Sequence, residues 1–394
     1  MSVLNAPLLE SLALRGQRVL VRVDFNVPLD ERGAIRDDTR IRAALPTLRH
    51  ILEQGGKPIC LCHFGRPKGE VVESLRVDPI ATRLQELLGS PVLKLNESTG
   101  DCVAESIGQA TEGTTVLLEN VRFHPGETQG DVELARAFAA LGDCFVGEAF
   151  GACHRDHASV SGIPRLLPSA AGRLLEKEVD AFAQVLESPQ RPLVAILGGA
   201  KVSDKLTVID HLLEKVDSIL VGGGMAYTFL LSQGIEVGDS LVEPAQLDLC
   251  RAAQAKARER DVDLLLPLDH VAAEQFSAEA STRVCGPAIP AGWMGLDVGP
   301  RTRERYVEVV AGARTVVWNG PMGVFEMQPF RAGTQAVGRA LADCPGYTVV
   351  GGGDSVAAVT GLGLADCMSH ISTGGGASLA LLEGKVLPGI EALG

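Results

Sequence analysis

The chain has 394 residues, a formal net charge of −13, and a composition of 46% hydrophobic and 22% charged residues. This length exceeds the roughly 250–300 residues at which a single hydrophobic core stops growing, so it predicts two domains, and the acidic charge argues against a nucleic acid partner. Nine cysteines without a Cys-x-x-Cys pair, no signal-peptide pattern and no apolar run of transmembrane length predict a cytoplasmic protein with reduced thiols, no membrane segment, no disulfide framework and no zinc site.

Short apolar runs, typical of parallel strands buried on both faces, alternate with amphipathic helical patterns. In the first half the predicted strands are Arg18–Phe25, Pro58–His63, Thr115–Glu119 and Cys144–Glu148. The predicted helices there are Asp38–Leu52 and Asp131–Leu141. Pro46 lies within the first of them and is expected to kink or shorten it.

The second half repeats this alternation after a predicted connecting helix, Glu176–Leu186. Its predicted strands are Leu193–Leu197, Ser218–Val221, Asp263–Leu268, Thr315–Trp318 and Tyr347–Val350. Its predicted helices are one that opens at Ser203 and runs to Val216, then Pro244–Arg258, Thr302–Val310 and Arg331–Ala342. The pattern predicts an α/β fold of two doubly wound, Rossmann-like parallel-sheet domains, 1–171 and 190–376, joined by a helix and hinge at 172–189.

Glycine-rich turns follow several strands of the second half. In Gly351-Gly352-Gly353-Asp354-Ser355, the glycines allow close backbone approach, and Ser355 and the free amides at a helix start can bind phosphate. Asp354 can hold Mg²⁺ shared with the phosphates. The alternative is a plain strand-to-helix turn capped by Asp and Ser, and the segment is not a Walker loop.

Two lysines, Lys201 and Lys205, follow the turn Gly198-Gly199-Ala200 near a helix start. A cation is disfavoured there because the helix dipole is already positive, so an anion bound between the lysines would explain both. The alternative, that one lysine points into water, remains open for Lys205. Asn319 and Glu326 follow another strand and are candidates for ribose and phosphate contacts, although Asn-Gly-Pro is also ordinary turn chemistry.

Cationic side chains in the first half occupy turns after successive strands, which converge on one rim of a parallel sheet. They are Arg40, His63, Arg66, Arg122 and Arg155. Asp24 and Asn26 lie in the first such turn and can accept hydrogen bonds from hydroxyls. Guanidinium groups bind small, highly charged anions well. Each residue taken singly also fits a surface or salt-bridged role, and His154 and His157 do not match a zinc pattern.

These motifs together resemble the phosphoglycerate kinase family from Arg18 to the C-terminus. The segments that carry the resemblance are Val23–Pro28, His63–Pro67, Leu118–Phe123, Ala195–Val202, Val317–Pro321 and Ile371–Ser378. The resemblance implies a kinase with a carboxyl group as acceptor, which moves the acyl phosphate of 1,3-bisphosphoglycerate to ADP in glycolysis and, in reverse, forms it from 3-phosphoglycerate and ATP.

The resemblance also implies roles for single residues. Phosphoglycerate would bind to Asp24, Asn26, Arg40, His63, Arg66, Arg122 and Arg155. Mg-nucleotide would bind to Lys201, Lys205, Gly295, Asn319, Glu326, Gly352, Gly353, Asp354 and Ser355, with Asp354 nearest Mg²⁺. The tail 377–394 would pack on the first domain, and the protein would be a monomer. Asp156 departs from the family pattern and is expected to point away from the substrate.

The predicted mechanism is in-line transfer after hinge closure, with Arg40 and Lys201 stabilising the transferred phosphoryl group. Three alternatives remain open at this stage. They are a kinase for another acyl phosphate, such as that of acetate or aspartate, a non-catalytic nucleotide or metabolite sensor, and a nicotinamide dehydrogenase. The last is disfavoured because no Gly-x-Gly-x-x-Gly follows the first strand.

Overall fold

A computed structural model describes residues 6–394. The described chain divides into two compact units. The first contains the residues up to Asp180 together with Val386–Gly394, and the second is Ala181–Lys385. The chain passes from the first unit to the second within the helix Arg173–Leu186, which falls in the segment 172–189 where the sequence places the connection.

The first unit is built on a parallel sheet. Its strands are β1 (Arg18–Arg22), β2 (Lys57–Leu61), β3 (Val92–Lys94), β4 (Thr115–Leu117), β5 (Cys144–Gly147) and β6 (Ser169–Ala171). They are ordered β3-β4-β2-β1-β5-β6, and every neighbouring pair is parallel. The helices are α1 (Thr39–Glu53), α2 (Asp78–Leu88), α3 (Asp101–Gln109), α4 (Val132–Ala139) and α5 (Arg173–Leu186).

Helix α1 continues through Pro46, so the expected shortening at this proline is wrong. Proline removes one backbone donor and disfavours a helix interior. Here Ile41, Leu45 and Leu48 on α1 are buried in the same apolar core as Val19 and Val21 of β1. Burial of such side chains contributes about 1.5–3 kcal/mol each, which outweighs the cost of one proline.

The second unit contains two sheets. Its strands are β7 (Leu193–Leu197), β8 (Ser218–Val221), β9 (Asp263–Leu265), β10 (His270–Ala273), β11 (Thr282–Cys285), β12 (Met294–Val298), β13 (Thr315–Asn319), β14 (Tyr347–Gly351) and β15 (His370–Ile371). The larger sheet is parallel and ordered β15-β14-β13-β7-β8-β9. The smaller sheet is antiparallel and ordered β11-β10-β12.

The helices of the second unit alternate with the strands of the parallel sheet along the chain. They are α6 (Leu206–Leu212), α7 (Met225–Ser232), α8 (Leu247–Glu259), α9 (Pro300–Gly312), α10 (Ala332–Ala342), α11 (Gly353–Gly361) and α12 (Gly376–Leu382). The two parallel sheets confirm the predicted α/β fold class. The antiparallel sheet was not predicted.

The C-terminal tail is divided between the units. Helix α12 contacts α6 and belongs to the second unit. Helix α13 (Pro388–Glu391) belongs to the first, where the Gly389 N–H donates to the Cys153 carbonyl at 2.9 Å. The first unit therefore receives the chain from Val386 onward, and not from residue 377 as the sequence suggested. None of the helices within residues 6–394 is long and apolar enough to cross a membrane.

Candidate active site

The predicted anion-binding residues of the first unit lie on loops that leave neighbouring strands. Strands β4, β2, β1 and β5 are adjacent in the sheet, and their carboxyl ends meet at one edge because the strands are parallel. Asp24 and Asn26 follow β1, and His63 follows β2. Arg122 follows β4, and Arg155 follows β5.

Hydrogen bonds join the loops after β1 and β2. Arg40, in the first turn of α1, donates to Asp24 Oδ2 at 2.9 Å and to the Asn26 carbonyl at 3.3 Å. The Asn26 side-chain oxygen accepts the Gly65 N–H at 2.9 Å. Gly65 has φ +60°, and a Cβ there would collide with Leu75, so the turn requires glycine. These contacts orient Arg40 even before an anion is present.

The Asn120 side chain fixes the loop that carries Arg122. Its oxygen accepts the N–H groups of Phe64 and Arg122, both at 3.1 Å, and its nitrogen donates to the Phe64 carbonyl at 2.7 Å. The Arg122 guanidinium donates to the Gly65 carbonyl at 2.6 Å, while its buried Nε has no partner among the described residues. Arg122 therefore retains donor capacity for a ligand.

A cavity of about 470 Å³ opens beside these loops, lined by Arg66, Lys68, Gly69, Arg122, Pro125, Thr128, Gln129, Arg155 and His157. Its charged lining is cationic, as expected for a site that binds a compact anion. Arg66 is exposed, whereas Arg122 and Arg155 are partly buried.

The cationic groups of this site repel one another in the free protein. Burial and the neighbouring Arg155 lower the pKa of Arg122 to about 10. Burial, with Arg122 next, lowers the pKa of His157 to about 4. Burial, with Arg22 and Arg122 next, holds the pKa of His63 well below its usual value. An anion that binds here relieves this repulsion.

A buried polar layer lies beside the site, and the sequence did not assign it a role. Arg22 donates to the Ser159 hydroxyl at 2.8 Å and contacts His63 Nδ1 at 3.2 Å. Ser159 in turn donates to Glu127 Oε1 at 2.6 Å. Arg22 and Ser159 are 137 residues apart in the sequence, so their contact could not be predicted from local patterns. The one signal in the sequence was an arginine inside an apolar strand, since a buried arginine requires partners.

The Asp156 side chain makes its contacts away from this site. Its carboxylate accepts a hydrogen bond from Ser161 and pairs with Arg165 at 3.4 Å, and its side chain is largely exposed.

His154 Nε2 contacts Arg155 Nε at 3.2 Å. Within residues 6–394, no group of three or more His, Cys, Asp or Glu side chains is arranged to hold a metal ion.

The second unit has a cavity of about 570 Å³ at the carboxyl edge of its parallel sheet. Its lining contains three of the predicted residues, Gly295, Glu326 and Asp354. The other lining residues are Gly199, Ala200, Gly223, Gly224, Tyr227, Asp239, Leu241, Phe276, Met294, Leu296, Pro321, Gly323 and Val324. The antiparallel sheet contributes Gly295 through β12, so a cavity wall comes from the element that sequence patterns missed.

Glycine is required where two of these loops approach each other. A Cβ on Gly198 would overlap the Pro321 carbonyl, and a Cβ on Gly223 would overlap the Gly199 backbone. The loops after β7, β8 and β13 therefore pack through their backbones. This packing explains why glycine turns recur at these strand ends.

Lys205 and Asn319 are paired at the end of β13. The Lys205 ammonium donates to the Asn319 side-chain oxygen. Burial lowers the pKa of Lys205. The alternative that Lys205 simply points into water is therefore wrong. Gly352, with φ +87°, packs directly against Asn319.

Helix α11 begins at Gly353 beside the cavity. The Val356 N–H bonds to the Gly352 carbonyl at 3.0 Å, so the N–H groups of residues 353–355 precede the first helical bond and lack helical partners. Asp354 is exposed and lines the cavity. The Ser355 hydroxyl is buried and accepts the Gly320 N–H at 2.6 Å, so this side chain orders a loop and does not line the cavity.

Lys201 is exposed and directly follows Ala200, which lines the cavity. Burial raises the pKa of Glu243, but hydrogen bonds from Ser203 and Val202 and the positive charge of Lys201 lower it by more. Asp354 supplies a hard oxygen ligand next to free helix-start amides. Because Mg²⁺ in phosphotransfer sites uses one or two carboxylates and takes further oxygens from substrate phosphates, these residues fit a magnesium–nucleotide complex.

Comparisons with known proteins agree on one family. A family model described as phosphoglycerate kinase matches residues 9–385. The chain is similar to the structure of phosphoglycerate kinase from Coxiella burnetii, with a TM-score of 0.90, 41% identity and 98% coverage of both chains. It is also similar to the crystal structure of phosphoglycerate kinase from Pyrococcus horikoshii OT3, with a TM-score of 0.83, 32% identity and 98% coverage of both chains.

Proposed function

The chain belongs to the phosphoglycerate kinase family and catalyses reversible phosphoryl transfer between 1,3-bisphosphoglycerate and ADP, and on this premise we propose which of its residues bind each substrate. The resemblance inferred from the sequence motifs is thereby confirmed. The observation that carries the residue assignment is the presence of a cationic cavity in one unit and a glycine-lined cavity in the other.

We propose that phosphoglycerate binds to the cationic edge of the first unit. Arg66, Arg122 and Arg155 supply charge to the phosphate, since guanidinium groups match phosphate oxygens geometrically. Asp24 and Asn26 lie beside Arg40, so the Asp24 carboxylate can accept from the hydroxyl of phosphoglycerate and the Asn26 side-chain nitrogen can donate to its carboxylate. The lowered pKa of Arg122 and of Arg155, caused first by burial, supports this placement because a dianion offsets the repulsion.

We propose that the nucleotide binds in the cavity of the second unit. The apolar side chains Leu241 and Phe276 and the glycine wall at Gly295 suit a planar base, and Glu326 suits a ribose hydroxyl. The unpaired N–H groups at the start of α11 suit the phosphates. Lys205, held by Asn319, and Lys201 add positive charge on the same side of the sheet.

Asp354 would hold Mg²⁺ together with the nucleotide phosphates. When bound, the ion neutralises charge on the phosphate oxygens. The residues of the chain then have two tasks, which are to align the acceptor with the phosphoryl group and to keep water away from it.

Transfer requires no covalent intermediate on the protein, because an acyl phosphate is already a reactive donor. Arg40 stabilises charge from the phosphoglycerate side, and Lys201 does so from the nucleotide side. With one substrate bound to each unit, transfer requires the units to approach each other during turnover, and the connection through α5 is where we place the hinge.

We further propose that the protein acts as a cytoplasmic monomer. All nine cysteines lie within the described residues and are free thiols, and six of them are buried. Reduced, buried thiols are typical of proteins from a reducing compartment.

One assay tests the function and its alternatives together. The purified protein is supplied with Mg-ATP and, in separate reactions, with 3-phosphoglycerate, acetate or aspartate, and ADP formation is followed. We expect ADP formation only in the reaction that contains 3-phosphoglycerate. Activity with acetate or aspartate would favour another acyl-phosphate kinase, and nucleotide binding without any turnover would favour a sensor.

A further inference from the structure

Arg22, the last residue of β1, is a buried arginine that the assignments above leave without a role. Its exposed fraction is 2%. Its Nη1 donates to the Val23 carbonyl at 2.6 Å, its Nε donates to Ser159 Oγ at 2.8 Å, and its Nη2 lies 3.2 Å from His63 Nδ1. The guanidinium is therefore held by three separate contacts.

Ser159 and Glu127 hold the Arg22 guanidinium in place. The Ser159 hydroxyl donates to Glu127 Oε1 at 2.6 Å, so its lone pairs face the Arg22 Nε–H. Glu127 Oε2 accepts the Ser159 N–H at 2.9 Å, and the Glu127 side chain is fully buried. Rotation of Arg22 away from this network would leave a buried charge without partners, which is costly.

The contact with Arg22 determines which nitrogen of His63 carries the proton. A guanidinium has N–H donors and no acceptor, so His63 Nδ1 must be the acceptor of this hydrogen bond. A neutral imidazole whose Nδ1 accepts has its proton on Nε2. Burial and the charges of Arg22 and Arg122 hold the pKa of His63 well below its usual value, so the ring is neutral near neutral pH.

We propose that Arg22 is a positioning residue that holds His63 as the neutral Nε2–H tautomer, so that Nε2 donates a hydrogen bond to an anionic oxygen of phosphoglycerate. The identification of phosphoglycerate as the ligand rests on the proposed function. Arg22 occupies Nδ1 of His63, which leaves Nε2 as the ring nitrogen that can donate to a ligand, and the ring lies within electrostatic range of Arg122, Arg155 and Arg40.

A neutral donor suits this position better than another cation. The guanidinium groups around His63 already repel one another. Burial is the largest cause of the lowered pKa values of Arg122 and Arg155, and the positive charges of neighbouring arginines lower both further. A protonated imidazole would add to this repulsion. The neutral Nε2–H instead adds a directed hydrogen bond without further charge.

Nitrogen NMR of the full-length protein labelled with ¹⁵N-histidine tests the tautomer directly. The His63 signals are identified by their loss in His63→Gln. We expect a protonated Nε2 and an unprotonated Nδ1 that do not titrate between about pH 6 and pH 8, and a shift of the Nε2 signal when 3-phosphoglycerate is added. A proton on Nδ1, a mixture of tautomers or a doubly protonated ring would overturn the proposal.

This experiment tests the tautomer of His63 and the identity of its ligand separately. If His63 is the Nε2–H tautomer but its signals do not respond to 3-phosphoglycerate in a protein that is active, the placement of phosphoglycerate at His63 is overturned, and the proposed donor role falls with it. If the protein shows no phosphoglycerate-dependent activity at all, the proposed function fails, whatever the tautomer.

Kinetics of Arg22→Met provide the second test. We expect a mixture of His63 tautomers and a KM for 3-phosphoglycerate raised about tenfold, since the hydrogen bond from Nε2 to the anion is weakened and the positive charge of Arg22 beside the ring is removed, with the KM for Mg-ATP unchanged. The matched control is Arg18→Met, which removes an arginine from the other end of β1, where it pairs with Asp143 at 2.7 Å. We expect wild-type NMR signals and KM values for this control.

A purely structural role for Arg22 gives a different result. In that case Arg22→Met lowers the melting temperature while the His63 tautomer and the ratio of the two KM values stay as in the wild type, which would overturn the proposal. Should Arg22→Met fail to fold, the NMR experiment on the wild-type protein still decides the question.

Discussion

Replacing Arg122 with glutamine removes a charge that the folded protein tolerates poorly until its ligand binds. Burial and Arg155 lower the pKa of Arg122 to about 10, and its Nε is buried without a partner among the described residues. A tenfold change in proton affinity corresponds to about 1.4 kcal/mol. Because Arg122 is partly exposed, solvent screening reduces the combined cost of burying its charge and of the repulsion by Arg155 to about 1–2 kcal/mol.

Arg122→Gln should therefore leave the free protein as stable as the wild type or slightly more stable, since the amide can still donate to the Gly65 carbonyl. Phosphoglycerate, in contrast, loses a charged hydrogen bond worth about 1.5–3 kcal/mol, which corresponds to a KM raised about 10- to 100-fold. The KM for Mg-ATP should not change, because the cavity proposed to bind the nucleotide lies in the other unit.

Steady-state kinetics with varied 3-phosphoglycerate at saturating Mg-ATP, together with urea unfolding of the free protein, check both effects. The matched control is Arg136→Gln, which removes the same charge from an exposed side chain paired with Glu133 at 2.6 Å. We expect wild-type KM values for this control. An unchanged KM for 3-phosphoglycerate in Arg122→Gln, or a loss of stability above about 2 kcal/mol, would refute the reasoning.

Four further substitutions test the other catalytic and metal assignments and one buried carboxyl group. Arg40→Met and Lys201→Met should each lower kcat by about 10²–10³-fold with an unchanged circular dichroism spectrum, and near-normal kcat in both would remove their roles. Asp354→Asn should raise the Mg²⁺ concentration for half-maximal rate about tenfold, and an unchanged Mg²⁺ titration would argue against a ligand here. Burial raises the pKa of Glu148 to about 8, so the folded state holds a proton that the unfolded state releases near pH 4.5, and stability falls as pH rises from there to about 8. Glu148→Gln should lessen that decline in urea unfolding across this pH range, and an equal decline in both proteins would contradict the buried-acid interpretation.

The inner strands of the parallel sheets were predictable because they are continuous apolar runs, whereas the short strands β3, β6 and β15 were not predicted. The predicted strands Leu193–Leu197 and Ser218–Val221 coincide with β7 and β8. The antiparallel sheet was missed because β11 is largely exposed along Thr282–Cys285 and therefore has no apolar run. The resemblance named Gly295, but the apolar pattern did not reveal the strand β12 that places it in the wall of the proposed nucleotide cavity.

The candidate site was predictable in its residue types but not in its contacts. A turn after a strand places a side chain at the sheet edge, which is why Arg122 and Asp354 could be singled out. The support beneath them depends on tertiary pairing. Arg22 meets Ser159, and Lys205 meets Asn319, across 137 and 114 residues respectively. Local sequence patterns contain no information on contacts at such separations.

A crystal structure of the protein with 3-phosphoglycerate and Mg²⁺-ADP tests the division of the substrates between the units most directly. We predict electron density for the phosphoglycerate phosphate at Arg122 and Arg155, and for the nucleotide along Gly295 and Glu326 with its phosphates at the start of α11. Density for both substrates within one unit, or for phosphoglycerate away from the arginine side chains, would contradict it.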